Sequence, residues 1–218
     1  MKMKNTTTVF LSFCLSIAAF FVPGDGLSAQ TPSYARRLLD ATISTLESMD
    51  DYRAEFTLAY ADVPAEKGVM YAKGEKYRVE TDAFILLCDG RYTYVIQDDE
   101  QEVTVRDLSD PEAGTLGGSV QQILRRFADA FVPRTDRREG TVQYLRLEPR
   151  EQNNPSQYVT VGIDTENGLP VSLEDVSREG SHALLTIVSL ERGAGALPGL
   201  YDFDAEKYSK KGYYIARP

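Results

Sequence analysis

Hydrophobic positions change their spacing several times along this chain, and each change predicts an element. Ala35, Leu38, Leu39, Thr42, Leu46 and Met49 recur three and four apart, one apolar stripe on a helix of several turns. Thr31-Pro32 supplies a cap and a first-turn proline, and Asp50-Asp51 stands where the helix should stop. From Tyr52 the period becomes two, with Tyr52, Ala54, Phe56, Leu58 and Tyr60 alternating with Arg53, Glu55, Thr57 and Ala59. Short strands follow at 68–73, 76–81, 84–88, 91–97 and 102–107, separated by Lys73-Gly74, Asp89-Gly90 and the run 98–101. Such close spacing leaves no room for helical crossovers, so the sheet should be an antiparallel meander.

A second helix interrupts the strands. Ser119 and Gln122 form a capping-box pair, and Val120, Ile123, Leu124, Phe127, Ala128 and Phe131 make its apolar stripe. Gln121, Gln122, Arg125, Arg126 and Asp129 are expected to face outward, with Pro133 ending the helix. Strands return at 141–148, 157–163, 170–177 and 182–192. Asn167-Gly168 signals a tight primed hairpin. The strand from His182 to Leu190 is apolar on both faces and is expected to be covered on each side. The closing stretch from Gly199 reads as loop plus a last strand. Roughly eleven strands and two main helices result, and a curved sheet folded over its helices is the simplest way to bury both stripes.

Composition narrows the setting. Residues 1–29 have the layout of a cleaved secretory signal, with Lys2 and Lys4, an apolar run from Val9 to Val22 and a small-residue site before Gln30. One domain is expected over 30–218. Cys14 leaves with the signal, so Cys88 is left without a partner and the fold must rest on its own core. The net charge of −9 argues against a nucleic-acid partner. Charge is uneven, however: residues 75–112 hold eleven acids and four bases, and 120–150 hold seven arginines and four acids.

Candidate chemistry is sparse. Cys88 alternates with Phe84 and Leu86, the pattern of apolar filler rather than of an activated thiol. His182, the single histidine, follows Gly180-Ser181 at a strand start and reads as a solvated turn residue. One cysteine and one histidine do not make a zinc site, and no spaced acidic loop suits calcium. No metal, cofactor or catalytic set is expected, and the chain is not read as an enzyme. What remains is apolar surface. Phe56 and Leu58, Tyr71, Tyr77 and Val79, Phe84 and Leu86, and Tyr92, Tyr94 and Ile96 are all assigned to one face of the early strands. By periodicity alone such a face is more often solid core than a ligand cavity.

The stretch 68–105 resembles the signature of the periplasmic outer-membrane lipoprotein carriers, the LolA-type family. Lys76-Tyr77-Arg78-Val79-Glu80, the Asp89-Gly90 turn, Tyr92-Thr93-Tyr94, the Asp164…Gly168-Leu169-Pro170 turn and Phe203-Asp204 carry the likeness. It implies an α+β fold, an unclosed antiparallel β-barrel with an α-helical lid over an apolar cavity. The ten residues above would line that cavity, and Leu39, Leu46, Ile123, Leu124, Phe127 and Phe131 would belong to the lid. It further implies a monomeric periplasmic carrier in a Gram-negative bacterium. Its partners would be acylated lipoproteins, an inner-membrane ABC-type exporter and an outer-membrane receptor. A lipid- or lipoprotein-sensing regulator on the same fold is the alternative. The family's lid-holding arginine would fall in Lys73-Gly74-Glu75, where none stands, so Arg78 is offered as a possible latch.

Overall fold

The computed structural model describes residues 32–60, 63–109, 118–195 and 197–217. The expected signal segment and Thr31 lie outside them. Helix α1 spans Tyr34–Glu47, two residues later than the Thr31-Pro32 reading, because Ser33 caps it: its hydroxyl accepts from the Arg36 N–H at 3.2 Å. The helix ends at Glu47, short of Asp50, where Arg192 donates to both the carbonyl and the hydroxyl of Ser48. Strands β1 (Asp51–Tyr60), β2 (Val63–Lys73), β3 (Lys76–Thr81), β4 (Ile85–Cys88), β5 (Tyr92–Gln97) and β6 (Glu102–Asp107) follow close to their expected bounds, although β2 begins five residues early.

Helix α2 (Val120–Ala130) leads straight into β7 (Phe131–Glu139), then β8 (Val142–Pro149), β9 (Ser156–Asp164), β10 (Leu169–Ser177) and β11 (His182–Arg192). A six-residue helix α3 (Ala205–Lys210) and β12 (Tyr214–Ala216) close the described chain. All twelve strands form one sheet, in the order β12-β6-β5-β4-β3-β2-β1-β11-β10-β9-β8-β7. Its two ends do not pair with each other, so the barrel stays open. Pairing is antiparallel throughout except that β12 runs parallel to β6.

Strand β7 and helix α3 were not legible beforehand. Strand β7 points only Phe131 and Pro133 inward and then runs through Arg134–Glu139 in solvent, so it lacks an alternating stripe. It tolerates Pro133 because it is an edge strand. Phe131 is therefore a strand residue and not part of the second helix. The Asn167-Gly168 hairpin forms between β9 and β10, but with a four-residue loop. Only Gly168 takes a positive φ there, and Asn167 instead donates to Asp164 and accepts from the Leu169 N–H.

Both helices pack on one face of the sheet. Ala35, Leu39, Ile43 and Leu46 of α1 and Val120, Ile123, Leu124 and Phe127 of α2 meet Phe56, Leu58, Met70, Val79, Leu86, Leu145, Val161 and Leu173 in one apolar cluster. The outer face is uneven. Strand β11 sits mid-sheet, yet its outer side is uncovered: Leu184 is 37% and Val188 63% exposed, contrary to the double coverage expected from its apolar run. The outer side of β4–β6 is covered by the C-terminal segment. There Leu87, Tyr94, Ile96, Val103 and Val105 pack with Tyr201 and Tyr208 in a second cluster. Tyr94 stacks on Phe203 at 4.3 Å between centroids, and Phe203 on Tyr208 at 5.4 Å. Tyr201 and Tyr208 are thus packing residues, while Tyr214 on β12 is exposed.

Gly68 illustrates how tight the inner face is. It pairs with Phe56 across β1 and β2, and a Cβ at Gly68 would lie 2.2 Å from the Phe56 ring. The ring, itself buried, occupies the space that a side chain would need. Gly68→Leu should therefore lower unfolding stability by about 1–3 kcal/mol, the usual cost of overpacking, as measured by urea titration. An unchanged midpoint would show that the ring moves aside freely.

Candidate functional site

The candidate site is the apolar face that the two helices cover. Of the residues assigned to it from sequence, the structure brings six together there: Phe56, Leu58, Tyr77, Val79, Phe84 and Leu86. Tyr71, Tyr92, Tyr94 and Ile96 lie on the opposite face, beneath or beside the C-terminal segment. Tyr71 pairs with the outward Arg53, between the inward Met70 and Ala72; for the other three the reason is the β4–β5 register. Cys88 pairs with Thr93, so even-numbered positions of β4 share a face with odd-numbered positions of β5. Val95, not Tyr94 or Ile96, continues the inner face of Leu86. The same pairing puts Cys88 inward with Phe84 and Leu86, as its alternation predicted, and burial pushes the thiol's pKa upward.

The roof consists of α1 and α2. Leu39 and Leu46 of α1 and Ile123, Leu124 and Phe127 of α2 all point into the shared interior. Phe131 reaches it from the base of β7, with its ring edge-on to Phe127 at 5.5 Å. The helices hold each other through Arg125 with Glu47, and through Arg36, which donates to the Ala128 carbonyl at 2.7 Å.

Contacts between the start of α2 and the sheet are polar. The buried Tyr52 hydroxyl accepts from the Val120 N–H at 3.0 Å. Burial holds its pKa well above the ordinary tyrosine range, so it stays neutral. Gln121, expected to face outward, is buried and donates to the Gly74 carbonyl at 3.3 Å. Gln122 donates to the Glu75 carboxylate at 2.9 Å while its own carbonyl accepts from the Ser119 N–H at 2.9 Å, the glutamine half of the capping box. The β2–β3 turn thus meets the helix: the turn supplies acceptors and the helix supplies donors. Arg78 does not take part. It faces outward and binds Glu80, so the sheet stands between it and the helices. Beside this junction lies a recess of about 280 Å³ lined by Glu75, Tyr77, Cys88, Leu108, Gln122, Arg125 and Arg126.

Among the described residues no group of three or more histidine, cysteine or acidic side chains is placed to hold a metal. His182 is exposed, 3.4 Å from Glu174, and far in character from an activated base. Among these residues, too, no helix is long and apolar enough to cross a membrane.

Removing the Tyr52 hydroxyl isolates one of these contacts. Tyr52→Phe leaves the Val120 N–H unpaired in a buried position, so it should cost about 1–3 kcal/mol in urea unfolding. It should also speed labelling of the Cys88 thiol in the native state, because α2 then loosens beside it. Unchanged stability and labelling would show that the contact does not hold the helix.

No family model matches the chain. It is 27% identical over 219 residues to an outer-membrane lipoprotein carrier protein of Alkalilimnicola ehrlichii, covering 93% of this chain and 92% of that protein. An uncharacterized conserved protein from Thermus thermophilus shares the fold with a TM-score of 0.57 at 12% identity, over 85% of this chain and all of that one. A LolA superfamily protein from Nitrosomonas europaea superposes with a TM-score of 0.43 at 15% identity, over 78% and 98% of the two chains. In its sequence the chain resembles an outer-membrane lipoprotein carrier protein over nearly its whole length.

Proposed function

We propose that this protein is a non-enzymatic periplasmic carrier that takes lipoprotein acyl chains onto the inner face of its sheet. The observation that carries this reading is an unclosed sheet whose apolar face is roofed by two helices, one of them tied to β1 and to the β2–β3 turn by polar contacts. Phe56, Leu58, Tyr77, Val79, Phe84 and Leu86 would receive the chains once Leu39, Leu46, Ile123, Leu124 and Phe127 withdraw. Tyr92 and Tyr94, on the other face, have no part in it.

The energetics suit the task. Acyl chains gain about 0.8 kcal/mol per methylene on leaving water, so a lipid-anchored cargo needs a shelter between membranes. In the empty state α1 and α2 supply that burial themselves. Exchange of helix side chains for acyl chains is close to balanced in apolar area, which leaves the polar junction at Gly74-Glu75 to set how readily the roof opens. Cargo would come from an inner-membrane ABC-type exporter and pass to an outer-membrane receptor. The 27% identity to a carrier protein over nearly both full lengths favours this reading over a sensor on the same fold.

The test is transfer. Inner-membrane vesicles carrying a lipoprotein and the exporter are supplied with ATP and the purified protein. Lipoprotein should appear in the soluble fraction bound to it. Phe127→Glu should abolish that release while the β-sheet circular-dichroism signal persists, because a carboxylate would stand in the apolar interior. Retention of all lipoprotein in the vesicles by the wild-type chain would contradict the carrier reading, and unfolding of Phe127→Glu would make that helix core rather than roof.

A further inference from the structure

One polar side chain on the apolar floor is unexplained by the fold. Asp175 follows Leu173 by two residues on β10, and the strand is regular between them, so it shares the inner face. Its neighbours across the sheet are Val159 on β9 and Ala183 on β11. It is only 8% exposed, and its Oδ1 has no hydrogen-bond partner. The Ser156 hydroxyl serves the carboxyl on the other side, and no ion pair among the described residues includes it. Burial pushes its pKa up, with Ser156 opposing. A half-satisfied carboxyl in an apolar floor destabilises the empty protein, and such a group calls for a reason. Leucine would fill the position at lower cost.

We propose that Asp175 is a specificity-determining anchor for the polar end of the acyl ligand, accepting a hydrogen bond from an N–H group carried beside the acyl chain. This rests on the carrier reading and refines it: the inner face would select amide-linked or amine-bearing lipids over plain esters. The geometry fits. The carboxylate offers a free acceptor on a largely apolar face, between Val159 and Ala183, and an acyl chain lying along β9–β11 would bring its linkage within reach of it. The unpartnered Thr42 Oγ1 on α1, fully buried on the roof side, is a second polar atom left open in the same interior.

A matched pair of probes tests this. N-palmitoylglycine methyl ester carries an amide N–H, and N-palmitoylsarcosine methyl ester replaces that N–H by N-methyl. Affinities are read by displacement of a fluorescent fatty acid from the full chain. The wild type should prefer the N–H probe by about tenfold, the effect of one hydrogen bond to a charged acceptor. Asp175→Leu should bind both probes within about a factor of two and keep its affinity for the sarcosine probe, while melting at a higher temperature. Should the leucine variant fail to fold, Asp175→Asn keeps the shape without the charge and should cut the preference to a few-fold. Equal wild-type affinities for the two probes, or an undiminished preference in either variant, overturn the anchor while leaving the carrier reading intact. Failure of the wild type to bind either probe removes both.

Discussion

Everything in this molecule follows from one constraint: a broad curved sheet with an apolar concave face cannot leave that face in water. Seven of the strands point Phe56, Leu58, Met70, Val79, Leu86, Leu145, Val161 and Leu173 to the same side. Closure into a barrel would bury them but would remove any entrance. Here the sheet ends in the charged, proline-bearing strand β7 on one side and the three-residue β12 on the other, and the ends stay apart. Two amphipathic helices then cover what closure would have covered. Because the cover is a separate layer held by side-chain packing and a few polar contacts, it is the part of the fold best suited to move.

The outer face obeys the same rule with a different result. Tyr94, Phe203 and Tyr208 stack in series, Tyr213 meets Tyr208 edge-on, and the C-terminal segment buries the outward residues of β4–β6. That cover is continuous with a strand of the sheet, because β12 hydrogen-bonds along β6. It is pinned by backbone hydrogen bonds, whereas the helices meet the sheet through side-chain packing and through polar contacts at β1, β11 and the β2–β3 turn. The two apolar layers therefore differ in what holds them.

Much of this was legible in the sequence. Periods of two and of three to four located β1–β6, β8–β11 and both long helices, and the turn residues gave the antiparallel order. Three features escaped, each for a physical reason. Strand β7 has a solvated edge and hence no alternation. Helix α3 is too short to show a period. The division of the aromatic residues between two faces depends on how β4 turns into β5, and the four residues between the paired Cys88 and Thr93 invert the parity that a continuous reading assumes. The contacts of Gln121 and Gln122 with Gly74 and Glu75 likewise join positions 47 residues apart, which no local pattern reveals. A family-style arginine latch is absent from that turn, yet the turn still holds the helix through its own carbonyl and carboxylate.

The central claim is that α2 must leave the β2–β3 turn before an acyl chain can enter. Glu75→Cys and Gln122→Cys in a Cys88→Ala background place one thiol on each side of the junction. A short bis-maleimide would join them, and a monofunctional maleimide would block them without joining. Binding of a fluorescent fatty acid should be lost in the bridged protein and kept in the blocked one. Equal binding by the two would show that the ligand enters without moving α2, and would contradict the account.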